Sequence, residues 1–277
     1  MLVLDKLGVL KRPIRPNAPL GWFSQYDGNI VGGMMVGLGM ALSGACPGTV
    51  LVQLAQGIPT ARAAFIGAIL GGITYARLQR YIKRQHPELS QSCKLSITEK
   101  TSMPEVALYS SLALMVVGAV TLTPASAGGP GAVTPIVGGL LIGAVQAASL
   151  LLLASPLGVS TVYEHLGQYV CLMADNENCG KPKGASKTVL TAVGIIGGSM
   201  ALTRYLGLAG AAMADPTVSN FQALIGGWVM VLGARLAGGC TSGHGLSGLS
   251  AMSFSSLLSV AGMFAAGIGA QAIMQAF

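Results

Sequence analysis

The sequence predicts an all-α membrane protein, an internally repeated helical bundle whose broken half-helices meet near the bilayer midplane. Three observations predict it. Hydrophobic residues make up 52% of the 277 positions, charged residues only 9%, and the mean hydropathy is +0.66, a balance that excludes an ordinary soluble domain. The chain carries 40 glycines, which soluble helices disfavour and packed membrane helices use for close approach. Finally, one unusual stretch occurs twice. Gly226–Gly248 (GGWVMVLGARLAGGCTSGHGLSG) echoes Gly32–Gly48 (GGMMVGLGMALSGACPG), and superposing Cys240 on Cys46 sets an offset of 194 residues.

That offset pairs Gly32 with Gly226, Gly33 with Gly227, Leu38 with Leu232, Gly39 with Gly233, Leu42 with Leu236 and Gly44 with Gly238. It reaches Pro59 and Ser253, each a break before another apolar helix. The expected unit is an apolar helix, a cysteine turn, a short helix, a break and a full helix. Duplicated broken helices are the sequence sign of a transporter site near the bilayer midplane.

In chain order, residues 1–29 form a polar, basic N-terminal segment with Pro13, Pro16 and Pro19 as helix breakers and Lys6, Lys11, Arg12 and Arg15 as its charges. Residues 1–15 lack an uninterrupted apolar core and a small-residue cleavage site, so no cleavable leader is expected. A first repeat is expected over 30–125, with its cysteine unit at 32–59. Ile30–Ala45 would rise about 24 Å as a helix, short of a hydrocarbon core of about 30 Å. Cys46-Pro47-Gly48-Thr49 breaks it, Pro47 suiting the first position of the next helix. Val50–Gln56 is too short to span, and Thr60 is expected to cap a helix running to about Tyr81.

The segment 77–104 carries Arg77, Arg80, Lys83, Arg84, Lys94 and Lys100 against Glu88 and Glu99. It reads as a cytoplasmic basic loop, and such loops account for the net charge of +7 better than nucleic-acid binding does. Val106–Leu122 and Ile136–Ala154 are further spans, joined by a Gly/Pro-rich turn at 124–135. The second repeat is expected over 134–277. It holds a third break, SPLGVST at 155–161, a short helix Val162–Val170, a polar loop at 174–187, a span Val189–Leu208, the cysteine unit 226–253 and a last helix Phe254–Ala276. Only residues 1–29 precede the first cysteine unit, so the first copy is expected to lack its leading half, through truncation or because a partner supplies it.

A broken helix in lipid leaves backbone N–H groups that protein, water or ligand must satisfy. At a half-helix N-terminus those groups and the helix dipole favour an anion. The candidate pathway residues are Cys46, Gly48 and Thr49 from the first turn, Cys240, Thr241, Ser242 and His244 from the second, and Gly158 and Ser160 from the third; Ser43 is a further hydroxyl. Thiols are soft, polarisable, weak donors suited to a sulfur-bearing ion. His244 would donate to an anion or tune the thiol, or else serve as a satisfied structural histidine. Arg235 needs a partner or a wet cavity within a membrane, while Glu164 and His165 are expected to pair locally. Cys93, Cys171 and Cys179 read as ordinary loop cysteines, the spacing of the last two being diagnostic of neither a disulfide nor a metal pair. No metal site and no cofactor is expected.

SGACPGT (43–49), GGCTSGHGLSG (238–248) and SPLGVST (155–161) resemble the YeeE/YedE family of sulfur-compound transporters. The resemblance covers the chain from residue 25 onward. It implies an hourglass-shaped helical membrane protein that takes up thiosulfate, handing it along by thiol hydrogen bonds from cysteines on the central line. Cys46 matches the cysteine of the family's first repeat and Cys240 that of its second. Cys93 and Cys171 lie in non-matching loops and do not supply the outer-mouth cysteine of the family's prototype. The expected function is therefore a transporter or channel for thiosulfate or a similar small sulfur oxyanion, not an enzyme, in a plasma or bacterial inner membrane. Its expected partners are that anion, the bilayer, and a cytoplasmic sulfur-carrier protein or a second copy of the chain. The competing readings are a membrane thiol enzyme that forms a persulfide on Cys46 or Cys240, and a truncated helper subunit.

Overall fold

A computed structural model describes residues 14–85, 96–101, 104–122, 135–153, 158–174, 185–205 and 218–276. Cys93, Cys179, residues 155–157 of the third break and most of the two expected loops at 124–135 and 174–187 lie outside them. Among the described residues the chain is helical, and its strand content is one isolated bridge between Ser96 and Ser253.

Helix α1 (Asp27–Ser43) begins three residues earlier than the apolar run suggests. The Asp27 carboxylate accepts from the amides of Leu20 (2.6 Å), Trp22 (2.7 Å) and Gly28 (2.8 Å), so the charge is buried but saturated. The segment before it is strapped down too: Ala18 N donates to Asn29 Oδ1, and Asn29 Nδ2 donates to Ala237 O and Ser259 Oγ. Gly44, at φ 65°, ends α1 in the left-handed conformation, which glycine adopts without a Cβ penalty. Helix α2 (Pro47–Ala55) is the expected half-helix. Helix α3 (Pro59–Gln85) starts at Pro59, with Thr60 already inside its first turn. It also runs on through Arg77, Arg80, Lys83 and Arg84, so four charges assigned to the basic loop are helical. A short α4 (Ile97–Thr101) follows.

Helices α5 (Glu105–Leu122), α6 (Pro135–Leu153), α7 (Ser160–Ala174) and α8 (Ala185–Tyr205) come next. The expected short helix at Val162–Val170 is longer at both ends. Helix α9 (Asn220–Leu236) starts with a capping box in which Ser219 and Gln222 bond each other's backbone amides. It leads into a π-helical segment, Thr241–Gly248, and then α10 (Phe254–Ala276).

Glycines set the packing. A Cβ on Gly32 would lie 2.6 Å from Gly233 O and one on Gly39 2.6 Å from Gly226 O, so α1 and α9 run antiparallel with their backbones nearly touching. Gly33 and Gly37 abut the carbonyls of Ser259 and Met263 on α10, while Gly67 and Gly71 abut those of Leu224 and Trp228 on α9. Helix α10 therefore flanks α1 in parallel and α3 flanks α9 in parallel. This is small-residue packing of the kind that holds helices together in lipid, where apolar burial gives no drive.

Two described helices are long and apolar enough to cross a membrane, Asp27–Ala55 with its bend and Phe254–Ala276, and a third if Asn220–Leu236 and Thr241–Gly248, bent by 44°, count as one. Leu140, Leu152, Leu190 and Phe264 stand exposed on α6, α8 and α10 (70%, 83%, 70% and 66%). The protein is an integral membrane protein.

Candidate functional site

Cys46 occupies the N-cap of α2. Its Sγ accepts from Thr49 N at 3.4 Å, and Thr49 Oγ1 accepts from Cys46 N at 2.7 Å. A thiol here takes the part that serine usually plays in a capping box, and Pro47, lacking an N–H, costs nothing at N1. Ser43 is not a free donor: its hydroxyl bonds Gly39 O and Ala45 O.

Cys240 occupies the corresponding position before the π-helical segment and is buried, with Sγ 3.1 Å from Ser242 Oγ. The thiol also has hydrogen-bonding neighbours in the Gly243 amide and in both the hydroxyl and the amide of Ser160. The wide turn depends on residues without bulk. A Cβ on Gly248 would collide with Ser256 Oγ, and Gly238, at φ 79°, turns the chain out of α9. Thr241 lies half-buried at the start of the segment.

The third break wedges between the first two. Gly158 and Ser160 open α7, and Val159 Cγ2 lies 3.8 Å from where a Cβ on Gly48 would be. Thr161 Oγ1 donates to Gly158 O, which pins the turn. Tyr163 is fully buried, donates to Pro47 O at 2.6 Å, and lies close enough to Cys46 and Cys240 to interact electrostatically with both. The three expected breaks thus come together: Val159 lies against Gly48, Ser160 bonds the Cys240 thiol, and Tyr163 is tied to Pro47. Cys46 and Cys240 are the free cysteines among the described residues.

Three further expectations change. His244 is buried with both ring nitrogens engaged, Nδ1 at 2.9 Å from Ser256 Oγ and Nε2 at 3.0 Å from Ala237 O. A carbonyl only accepts, so Nε2 carries the proton and Nδ1 accepts from the serine. The ring has no proton left for an anion and braces the end of α9 against α10. Glu164 does not pair with His165. It forms an ion pair with Arg235 and accepts from Gln168 Nε2 at 3.3 Å, while the Arg235 guanidinium lies 5.6 Å from the Tyr75 ring centroid. The His165 Nδ1 is buried without a partner. Cys171, expected to be an ordinary loop cysteine, is disulfide-bonded, and its partner lies outside the described residues.

Sequence reasoning missed Arg15 and Tyr163. Arg15 Nη1 donates to Gly238 O at 2.9 Å, and its backbone carbonyl accepts from Ser253 and Ser255. Its side chain runs into the Cys240 turn. In sequence it is one basic residue beside a proline, and composition assigns it to loop charge. Tyr163 carries no signal beyond being aromatic in an apolar run.

At the other end of α1 an open cavity of about 720 Å³ is lined by Met40, Ala41, Gly44, Val218, Gln222 and Gln271, next to the Cys46 turn. Among the described residues no cluster of three or more His, Cys, Asp or Glu could hold a metal ion. The family described as Sulphur transport matches residues 1–269, so the segment carrying Arg15 lies within the matched region, which begins well before residue 25. No curated protein matches the sequence.

Proposed function

The chain belongs to the Sulphur transport family, and we propose that it is a transporter that passes thiosulfate, or a similar small sulfur oxyanion, between the thiols of Cys46 and Cys240. The observation that carries this reading is the convergence of three helix breaks that hold two free thiols. Each break ends at a helix N-terminus where a bilayer offers no water, a setting that favours an anion. Gly48, Thr49, Gly158, Ser160, Thr241 and Ser242 line the breaks with small or hydroxyl-bearing residues. Weak S–H donors suit conduction because tight binding at any one station would stop it.

In this reading residues 30–125 and 134–277 are two copies of one unit, antiparallel at the α1–α9 contact, whose turns form a narrow waist. The Gly32–Gly233 and Gly39–Gly226 contacts support it, since the 194-residue offset carries one into the other. A plasma or bacterial inner membrane is the proposed location. A cytoplasmic sulfur-carrier protein or a second copy is a proposed partner.

The test is uptake of labelled thiosulfate by a sulfur-auxotrophic host. The wild-type chain should support accumulation, and Cys46→Ala with Cys240→Ala should reduce it at least tenfold at equal membrane abundance. Undiminished uptake by the double variant would remove the thiol relay.

A further inference from the structure

We propose that Arg15 is the anion-selecting residue of the Cys240 turn, a fixed cation that the N-terminal segment inserts beside the thiol. This deepens the transport reading and rests on it for the identity of the ion.

Everything around Arg15 holds its head in place. The backbone carbonyl is clamped by two serine hydroxyls, Ser253 Oγ at 3.0 Å and Ser255 Oγ at 2.9 Å. Three residues on, Ala18 is tied to Asn29, and Asn29 to Ala237 at the end of α9. The guanidinium donates through Nη1 to Gly238 O, and its Nε is buried without a partner. Among the described residues no carboxylate pairs with it, whereas Arg235 is neutralised by Glu164. Arg15 interacts electrostatically with Cys240.

The turn leaves room for this head. A Cβ on Gly239 would lie 2.9 Å from Arg15 Nη1, and one on Gly243 2.9 Å from Nη2. A Cβ on Gly158 would lie 3.8 Å from Nη2, so the cation faces two of the three breaks. Two of the motif's glycines thereby acquire a reason: they are the space a guanidinium occupies. A guanidinium with donors left over, beside a soft thiol, fits an oxyanion with a terminal sulfur. Its nitrogens bind oxygens as charge-assisted donors, and the thiol meets the sulfur.

The experiment compares wild type, Arg15→Gln and Arg15→Lys in two readouts. One is the KM for thiosulfate uptake. The other is the thermal stabilisation of purified protein by sodium thiosulfate or sodium sulfate against chloride at matched ionic strength. Arg15→Gln should raise KM about tenfold and abolish the anion-specific stabilisation, the scale of losing one charged hydrogen bond, while Arg15→Lys should keep both within about threefold. Unchanged KM and stabilisation in Arg15→Gln would overturn the proposal. Equal loss in both variants, with a lowered melting point in chloride, would make Arg15 a brace and overturn it as well. If Arg15→Gln is not recovered from membranes, Arg15→Lys carries the test, retention supporting the proposal and loss overturning it. A wild-type protein that takes up no thiosulfate, yet is stabilised by these anions in an Arg15-dependent way, would keep this proposal and remove the transport reading. Absence of any anion-specific stabilisation of wild type would overturn the proposal whatever the uptake result.

Discussion

Arg235 and Glu164 show how a single residue pair can be costly and still retained. Their side chains are 14% and 11% exposed, and a charge at that depth is tolerated only with its partner in place. Replacing Glu164 alone by Gln should destabilise the protein by about 3–5 kcal/mol, because it strands the guanidinium. Adding Arg235→Met should recover most of that loss, since the desolvated charge goes with its partner. Thermal unfolding of the detergent-purified single and double variants measures both, and equal melting points would refute the pairing's importance. His244 belongs to the same scale: its ring bonds Ser256 and Ala237, so it holds the turn.

At the scale of elements, the contacts between α1, α9 and their flanking helices are made through glycines, so bulk there separates backbones. Gly33→Leu, against Ser259 on α10, and Gly227→Leu, against Ala64 on α3, should each cost at least the 1–3 kcal/mol typical of overpacking. Gly197→Leu on α8 should be close to neutral, because nothing lies within 4 Å of a Cβ there. Melting temperatures of the three variants in one detergent check the ranking. The cysteine turns follow the same logic. A helix can end at Gly44 or Gly238 because those positions have positive φ, and Pro47 can start the next one because an N-terminal N–H is dispensable.

For the whole molecule, the contact between residues 96–97 and 252–253 sets orientation. Ile97 N donates to Met252 O at 2.8 Å, so the basic stretch around Lys100 shares one end of the protein with the Cys240 turn and Arg15. Positive residues favour the cytoplasmic side, which in the proposed reading places the Cys240 turn and Arg15 toward the cytoplasm. A Lys100→Cys variant should gain labelling by an impermeant maleimide in inverted vesicles and none in intact cells. The reverse pattern would invert this orientation.

The membrane class, the family resemblance, the positions of the three breaks and the two cysteine turns are legible in the sequence. These are local properties: apolar run length, glycine and proline placement, and repeat spacing act over a few turns of backbone. Tertiary structure alone decided the partners. Arg15 meets Gly238 across 223 residues of chain, Tyr163 meets Pro47 across 116, and Glu164 leaves its neighbour His165 for Arg235. A charge or a ring in an apolar sequence announces that it needs a partner, and the energy of that need is the same for many candidates. Which one satisfies it depends on helices brought together by glycine contacts, and that geometry turned a basic loop residue into the cation beside the thiol.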